Sequence, residues 1–502
     1  MEKVLNRIVS LIYYFMMLVI LAVVLFAGRM EYSPFHRRTF MLPNIAIMAI
    51  GVAAVFLLRR LVNKGAFSFK NRFIIPGVIL AVTIILSICC MYITGWDAGT
   101  LITDTFNWAS TGQMDIGYYS ENPNNRLIFV IMATILKIGM GVGITSKAAL
   151  YGLWVIVQCL LFWAAGFIVK DIIFRITKDD KTALFGYLLY NLFVGMSPWV
   201  VVVYTDCMGF IFPALTLWLY LVLPDDSALK MIVKWLVLVT VGLLGYQIKT
   251  TTFVMYIALL MALLISSFGV LDKKLKGLGI AIFVLNVIIL VPVFIKCWDF
   301  IPGTVAFEAY TGEKCDREAE LMPWHYFMMG LNKDSDGTFN YADDQFSHFI
   351  DTSDYRVERE KEVIVERLSD LGFTGLMKLY SKKLVIDYND GSFGYGLTGG
   401  EFVSSQIVED PPWNSWARYI FMPGRGGFSI YLNYVHIIWL AMLASCLFLK
   451  IRDRNECAIA FGLIGITMFL LMFESQQRYL LVFAPIFVIA SVLGMHNLLG
   501  GK

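Results

Sequence analysis

Residues 74–94, IIPGVILAVTIILSICCMYIT, are followed directly by residues 95–127, GWDAGTLITDTFNWASTGQMDIGYYSENPNNRL, and this change of character decides the fold. The first stretch carries no charge and is long enough to cross a hydrocarbon core of about 30 Å, which takes about 20 helical residues. The second stretch opens with the carboxylate of Asp97 and is rich in acids, amides and aromatic side chains. Together they predict a membrane helix that ends in a polar segment at the membrane surface, and the side chains of that segment suggest a site rather than a simple connector.

Apolar runs of similar length recur along the whole chain. Its 502 residues are 58% hydrophobic, and their mean hydropathy is +0.69. A transmembrane β-barrel would instead show segments of about ten residues with alternating hydrophobicity. We therefore predict an all-α polytopic membrane protein. The net charge of +3 is too small to indicate a nucleic-acid partner. The apolar runs are 8–27, 40–58, 74–94, 126–142, 148–169, 182–203, 208–224, 231–248, 251–268, 277–296, 429–449, 457–473 and 479–498.

Clusters of Lys and Arg between the runs indicate which loops face the cytoplasm. These clusters lie within 59–72, 170–181, 273–276 and 450–454. All four clusters lie on the cytoplasmic side of the membrane only if one of the apolar runs between them does not cross it. We predict that run 126–142 dips into the external face, because it is short, contains Lys137 and ends in a glycine-rich stretch. The result is about twelve spans plus a non-crossing external segment, with both termini in the cytoplasm.

The same topology divides the chain into three parts. Residues 1–296 form an N-terminal transmembrane module with an external catalytic loop at 95–127, and residues 429–502 form the last transmembrane helices. Residues 297–428 are predicted to form an external soluble domain, α or α+β, in which acidic residues outnumber basic ones. An acidic composition fits an external location, because basic residues are retained on the cytoplasmic side.

The polar features without an anchoring role all fall on the external face in this topology. Asp97 lies at the start of a predicted amphipathic helix from Ala98 to Ser110, which suits the membrane interface. Asp206 ends the segment Tyr204-Thr205-Asp206, after another apolar run. Two carboxylates in one cavity suit a general base for an acceptor hydroxyl and a second, supporting acid. The simpler alternatives are a helix cap for either residue, or a solvated loop acid for Asp97.

Two cations interrupt apolar regions at the same boundary. Lys249 lies in the turn 247–252, and Arg478 lies between the last two apolar runs. A lysine in this position can simply extend its ammonium group to the interface. Charge at membrane depth is costly and usually functional, however, and Arg is suited to bidentate phosphate contacts. Together the two cations suit a lipid phosphate whose head lies at the interface.

Taken in order, these motifs resemble those of the GT-C superfamily of polytopic glycosyltransferases, in particular the bacterial members related to protein O-mannosyltransferases. Many relatives have His-Pro-Pro where this chain has Asn122-Pro123-Asn124-Asn125, and the Pro-Asn-Asn version is similar to a Gram-positive subgroup. The matching pieces are Trp96-Asp97, Tyr118 with Asn122-Pro123-Asn124-Asn125, Tyr204-Thr205-Asp206, Gln247-Ile248-Lys249-Thr250, Pro323-Trp324-His325-Tyr326, and Glu474 with Gln477-Arg478-Tyr479.

The resemblance implies an inverting transfer of a sugar from a polyprenyl phosphate, on the extracellular face of the plasma membrane, to a glycan, teichoic acid or protein acceptor. It implies Asp97 as the general base, Asp206 as the second acid, and Lys249 and Arg478 as phosphate contacts. A structural or solvated histidine is the simpler interpretation of His325. The other substrate-binding candidates, with His325, are Asn124, Asn125, Tyr204 and Glu474.

Three further expectations complete the interpretation. Some superfamily members need a divalent ion, but the sequence shows no dedicated ligand cluster, so we expect neither a metal nor another cofactor. Cys297 and Cys315 flank the start of the external domain and are candidates for one disulfide. The main alternative function is a transporter or flippase of lipid-linked glycans, which should show paired repeats and charges near the bilayer midplane. A sensor or scaffold would leave the charges at the outer edge unexplained.

Overall fold

The computed structural model describes residues 2–65, 74–92, 94–270, 272–296, 302–350, 352–397 and 414–500. Within these ranges the secondary structure is helical and contains no strand, which confirms the predicted all-α class. Cys297 lies outside the described residues. The helices are α1 (Glu2–Leu25), α2 (Asn44–Asn63), α3 (Ile74–Cys90), α4 (Trp96–Thr111), α5 (Ile116–Glu121), α6 (Arg126–Gly141), α7 (Lys147–Thr177), α8 (Asp180–Tyr190), α9 (Thr205–Gly209), α10 (Phe212–Val222), α11 (Ala228–Ile248), α12 (Phe253–Ser267), α13 (Lys273–Lys296), α14 (Pro302–Thr311), α15 (Pro323–Gly330), α16 (Tyr341–His348), α17 (Ser353–Tyr388), α18 (Ser415–Phe421), α19 (Phe428–Cys446), α20 (Arg454–Met472) and α21 (Ala484–Leu498).

In the described part of the chain, nine helical segments are long and apolar enough to cross a membrane. Three of the twelve predicted spans are not among them. They correspond to α3, which has 17 residues, to α8 and to α13. After Tyr190 the chain leaves α8 through a π-helical turn, Asn191–Gly195, and a 3-10 turn, Pro198–Val201. The nine segments are Glu2–Leu25, Asn44–Asn63, Lys147–Thr177, Thr205–Val222, Ala228–Ile248, Thr250–Ser267, Phe428–Cys446, Arg454–Met472 and Gln477–Leu498.

The last span lies at the centre of the helix bundle. Helix α21 is buried along almost its whole length and packs against α7, α8, α19 and α20. Its side chains are apolar on all faces, which is typical of a helix surrounded by other helices. By contrast, α1 leaves Leu11 and Phe15 exposed, as expected for a helix in contact with lipid. The protein is therefore a polytopic bundle with its apolar core around α21.

The polar segment 95–127 folds into α4, α5 and a 3-10 turn, Pro123–Asn125, at one end of the bundle. We call this the polar end; here α3, α11 and α20 finish and α4 begins. Leu101, Ile102 and Trp108 are buried along one face of α4, in keeping with the predicted amphipathic pattern. Helix α6 has 16 residues and is not among the nine candidate spans. That run 126–142 does not cross the membrane stays a prediction.

Helices α14–α17 form a layer over the polar end, which we call the helical cap. Nη1 of Arg126, at the start of α6, lies 2.6 Å from Oε1 of Glu320 in the cap, and both side chains are buried. Helix α17 is kinked at Gly372, where φ is 54°. Beyond the kink its last turns, ending at Tyr388, are buried and pack against α1 and α20. The cap is therefore joined to the bundle by a buried ion pair and by the end of α17.

Candidate active site

The segment before Asp206 is irregular but fully enclosed by protein. Irregular backbone is tolerated at membrane depth only where protein or water satisfies its polar groups. Nε2 of Gln158 donates to the carbonyls of Val200 (2.6 Å) and Val202 (3.1 Å), and the hydroxyl of Tyr151 donates to the carbonyl of Val201. Helix α7 thus supplies the bonds that a regular helix would have made, and it fixes the position of the residues that follow.

Asp206 lies in the first turn of α9, and its side chain is only 1% exposed. Its Oδ1 lies 2.9 Å from Nζ of Lys249, and its Oδ2 lies 3.8 Å from Nε of Arg478. Three residues from distant parts of the chain therefore form one group, which we call the charged cluster. A buried carboxylate requires such compensation, because an isolated charge in a low-dielectric interior is very unfavourable.

Close backbone packing brings Lys249 to Asp206. Lys249 directly follows the end of α11, and Gly209 of α9 lies against it. A Cβ atom at position 209 would lie 2.9 Å from Cβ of Lys249 and 3.3 Å from Cγ2 of Thr252. Only a glycine leaves room for this approach. The turn 247–252 is also held from the cap, since the amide of Gly303 donates to Oε1 of Gln247 (3.1 Å).

Tyr204 joins the charged cluster to Asp97. Its hydroxyl donates a hydrogen bond of 2.9 Å to Oδ2 of Asp97. The centre of its ring lies 5.9 Å from Nζ of Lys249 and 5.2 Å from Cζ of Arg478. Cations at this distance are attracted to the negative face of an aromatic ring. One side chain therefore contacts the predicted base and both predicted phosphate ligands.

The loop after α20 completes the site. The hydroxyl of Tyr479 donates to Oε2 of Glu474 (3.0 Å), and Nε2 of Gln476 donates to Oε1 of the same carboxylate (2.8 Å). The ring of Tyr479 lies 4.1 Å from Nζ of Lys249. Glu474 is thus held in place by its own loop, and Tyr479 brings that loop to the charged cluster.

The amides of the Asn-Pro-Asn-Asn turn act on Asp97 through Tyr118. Nδ2 of Asn125 donates to the hydroxyl of Tyr118 (2.6 Å), and Nδ2 of Asn124 donates to Oδ1 of Asn125 (3.3 Å). Burial raises the pKa of Tyr118, and the neighbouring carboxylate of Asp97, which it hydrogen-bonds, raises it further. A neutral tyrosine beside Asp97 is a hydrogen-bond donor, so the turn orients the carboxylate indirectly.

The structure does not bring His325 to the predicted site. Its Nδ1 lies 2.8 Å from Oγ of Ser347, which in turn donates to Oε1 of Glu360 (2.7 Å), inside the helical cap. Burial lowers the pKa of His325 to about 4, which keeps the ring neutral. The next residue, Tyr326, faces the site instead. Burial raises its pKa, and the nearby carboxylates of Glu474 and Asp97 act in the same direction.

Three site residues were not singled out from the sequence. They are Tyr118, Tyr326 and Tyr479, all adjacent to or within motifs that were quoted for other residues. Aromatic side chains make up 15% of this chain, so a single tyrosine carries little information in the sequence. The only signal in the sequence is that these tyrosines lie beside the charged residues. That signal becomes informative only when the charged residues are known to lie close together.

The arrangement combines two kinds of chemistry at one place. Asp97 is a carboxylate held by hydroxyl groups, which suits a proton acceptor. The charged cluster places two cations beside it, which suits an anionic group of a substrate. In the described part of the chain, no three His, Cys, Asp or Glu side chains are grouped as metal ligands.

The fold and the site define a polytopic integral membrane protein with a charged, tyrosine-lined cluster at one end of its helix bundle. Residues 1–498 match the family model described as "Conserved hypothetical integral membrane protein", and the chain belongs to that family. No curated protein matches the chain.

Two solved structures of the oligosaccharyltransferase of Archaeoglobus fulgidus are similar to the chain. The first, AglB in complex with an inhibitory peptide and a dolichol-phosphate, has 14% identity and a TM-score of 0.41, and the match covers 87% of this chain and 53% of that one. The second, the apo form, has 12% identity, a TM-score of 0.41 and the same coverage of both chains. The chain thus spans about half the length of the archaeal proteins that it matches.

Proposed function

We propose that the protein is an integral-membrane glycosyltransferase that uses a polyprenyl-phosphate sugar as its donor. The observation that carries this proposal is the position of Tyr204, whose hydroxyl binds Asp97 and whose ring lies beside Lys249 and Arg478. A base for an acceptor hydroxyl and cations for a leaving phosphate are the two groups that such a transfer needs, and here they share one neighbour.

In the proposed reaction, Asp97 takes the proton of an acceptor hydroxyl as the acceptor oxygen forms a bond to the anomeric carbon of the sugar. The bond between that carbon and the phosphate oxygen breaks, and its electron pair stays on the phosphate. The products are the glycosylated acceptor and polyprenyl phosphate. Because attack and departure occur on opposite faces of the sugar, the configuration at the anomeric carbon inverts.

The charge of the cluster favours a monophosphate donor. Lys249 and Arg478 carry two positive charges, and Asp206 carries one negative charge, which leaves one positive charge. A sugar linked to a lipid through one phosphate is a diester with a single negative charge, so it would neutralise the cluster. Nε of Arg478 has no hydrogen-bond partner in the described part of the chain and is available to a phosphate oxygen. A diphosphate would leave excess negative charge beside Asp97.

The proposal is tested by measuring transfer and sugar release from polyprenyl-phosphate sugars with the purified protein in detergent. We expect Asp97→Asn to reduce turnover by about 10²–10⁴-fold, since it removes the general base and keeps the side-chain size. Asp104→Asn is the matched control, because Asp104 lies in the same helix but faces Tyr119 rather than Asp97. Undiminished turnover in Asp97→Asn would show that this carboxylate is not the base.

The same preparation distinguishes a transferase from the alternative transporter or flippase of lipid-linked glycans. Reconstituted into vesicles, a transferase should consume the donor only when an acceptor hydroxyl is present on the side of the polar end. Movement of the intact lipid-linked sugar across the bilayer, with no turnover of any donor in the panel, would contradict the proposal and favour transport. The proposed location of the site, on the extracellular face, is read from the same vesicles by the side on which product appears.

A further inference from the structure

Two large aromatic side chains are exposed beside Asp97. Trp96 is 70% exposed and Phe339, which precedes α16, is 42% exposed. Their ring centres lie 6.4 Å apart with the planes at 77°, an edge-to-face arrangement. We call these two side chains the aromatic pair. Exposed apolar side chains that contact each other next to a functional residue mark a binding surface more often than isolated ones do.

Trp96 is exposed, and its backbone conformation is strained. Its φ is 55°, in the left-handed region, which a bulky residue adopts only when its surroundings impose it. The chain turns tightly here: a Cβ atom at Gly99 would lie 2.3 Å from the carbonyl oxygen of Thr94. Strained residues of this kind cluster at functional sites. The turn fixes the indole immediately before the proposed base.

Phe339 follows a hydrogen-bonded turn that is itself bound to the loop after α20. The amide of Gly337 donates to the carbonyl of Asn332 (2.8 Å), and the side chain of Asn340 caps α16. The amide of Ser475, next to Glu474, donates to the carbonyl of Gly337 (2.8 Å). The position of Phe339 is therefore tied to the loop that carries Glu474 and Arg478.

Polar side chains of α5 and α16 contact one another near Asp97. Nε2 of His348 lies 3.3 Å from Oε2 of Glu121, and its Nδ1 lies 3.6 Å from Oδ1 of Asp344. Burial raises the pKa of Asp344 against the lowering effect of His348, and the nearby carboxylates of Glu121 and Asp97 add to the increase. These groups make the surroundings of the aromatic pair polar and net acidic.

We propose that the aromatic pair is the acceptor subsite and that the acceptor is a neutral carbohydrate chain. This inference rests on the proposed transfer reaction, with Asp97 as its base. The C–H groups on the apolar face of a sugar ring pack against the negative face of an aromatic ring. The hydroxyl groups at the edge of the same sugar can donate hydrogen bonds to Glu121 and Asp344. A sugar held on Trp96 would present a hydroxyl to the adjacent residue, Asp97.

The charges around the aromatic pair favour a neutral glycan over the two other classes of acceptor, an anionic polymer and a peptide. Glu121 and Asp344 outnumber the one imidazole of His348 around the aromatic pair. In the proposed reaction the two cations beside Asp97 are occupied by Asp206 and the donor phosphate, so a polyanion such as a glycerol-phosphate polymer would be repelled. A peptide would need backbone partners or side-chain pockets, whereas the aromatic pair is open and edge-to-face. A neutral glycan fits both the open aromatic surface and the acidic surroundings.

The test is a binding measurement by saturation-transfer NMR on the purified, full-length protein, with no donor present. The probes are the neutral trisaccharides cellotriose, mannotriose and chitotriose, a glycerol-phosphate oligomer, and a Ser/Thr-rich peptide. We expect at least one trisaccharide to bind, Trp96→Ala to weaken it about tenfold, and Trp96→Phe to restore most of the affinity. Phe339→Ala, which leaves the strained turn untouched, should weaken the same probe.

Phe373→Ala is the matched control, because Phe373 is an exposed aromatic residue (79%) of the helical cap beside the kink of α17. The inference is overturned if no trisaccharide binds, if Trp96→Ala and Phe339→Ala both bind as the wild type does, or if only the phosphate oligomer or the peptide binds. Donor turnover is measured separately. A protein that binds the trisaccharide through Trp96 but releases no sugar from any donor contradicts the proposed function and leaves the carbohydrate site standing.

Discussion

The hydroxyl of Tyr204 donates a hydrogen bond of 2.9 Å to Oδ2 of Asp97, and the two residues are 107 positions apart in the chain. The bond links the polar segment after α3 to the irregular segment before α9. Because the ring of Tyr204 also lies beside Lys249 and Arg478, the hydroxyl and the ring have separate neighbours. The hydroxyl should therefore influence the proposed base, and the ring should influence the proposed phosphate site.

Tyr204→Phe removes the hydroxyl and keeps the ring. We expect kcat to fall about 10- to 100-fold, the equivalent of one hydrogen bond to a charged group, because Asp97 loses a partner that orients it. The KM for the donor should change little, since the contacts of the ring with both cations remain. Tyr190→Phe is the control: its hydroxyl donates to the carbonyl of Phe162 (2.6 Å), away from the site. Equal kcat values for Tyr204→Phe and the wild type would contradict this role.

The buried pair of Asp206 and Lys249 should be visible in stability. Asp206→Ala leaves the ammonium group of Lys249 buried beside Arg478, and we expect the free energy of unfolding to fall by about 3–5 kcal/mol. The double variant Asp206→Asn with Lys249→Met should recover much of this loss but no activity. Unfolding is measured in detergent with a denaturant. Asp226→Ala breaks the exposed pair with Lys230 and should change stability little. A single variant Asp206→Ala as stable as the wild type would exclude a buried pair.

The sequence singles out the residues of the charged cluster, but it does not predict how they pack against one another. Charge is costly at membrane depth, so Lys249 and Arg478 were conspicuous from the sequence alone. Asp206 and Lys249 approach because Gly209 lets two helix ends pack closely, and no periodicity reveals which glycine does so. Likewise, His325 was a natural candidate from its motif. Its neighbour Tyr326 faces the site instead, because helix α15 turns His325 toward Ser347.

Hydropathy predicts the class of fold but not where an apolar run loses its regular helical geometry. The run 182–203 is apolar throughout, yet its second half is a π-helical turn and a 3-10 turn that carry the chain to Tyr204. Side chains of another helix, Gln158 and Tyr151, satisfy the backbone there. Such long-range compensation leaves no local signal, so the most informative irregularity of the fold could not be read from the sequence.

The ion pair of His348 with Glu121 predicts a pH dependence of stability. The hydrogen bond that His348 donates to Glu121 is the main cause that raises the pKa of His348 to about 9, from an ordinary value of 6.5. Because the folded-state pKa is raised, the stabilisation is fully present below pH 6.5 and is lost as the pH rises through about 9. The melting temperature of the wild type should therefore exceed that of His348→Gln most clearly at pH 6, and the two should converge by about pH 10.

The control for this titration is His36→Gln. Burial lowers the pKa of His36 to about 4, so this ring is neutral from pH 6 to 10 and its removal should give a difference independent of pH. Thermal unfolding in detergent at several pH values measures both variants. A difference between wild type and His348→Gln that stays constant from pH 6 to 10 would show that the pair with Glu121 does not form.

Gly209→Ala tests whether the charged cluster depends on close packing of α9 against the end of α11. The added Cβ would lie 2.9 Å from Cβ of Lys249, so Lys249 must shift away from α9, the helix that also carries Asp206. We expect a loss of about 1–3 kcal/mol in the free energy of unfolding, as for other overpacked positions, and a higher KM for the donor.

Gly141→Ala in α6 is the matched control, because nothing lies within 4 Å of the added methyl group there. Since alanine favours helix over glycine, that control should be neutral or slightly stabilising. If Gly209→Ala has the same donor KM and stability as Gly141→Ala, the approach of the two helix ends does not position Lys249, and its contact with the donor phosphate must be set by another part of the chain.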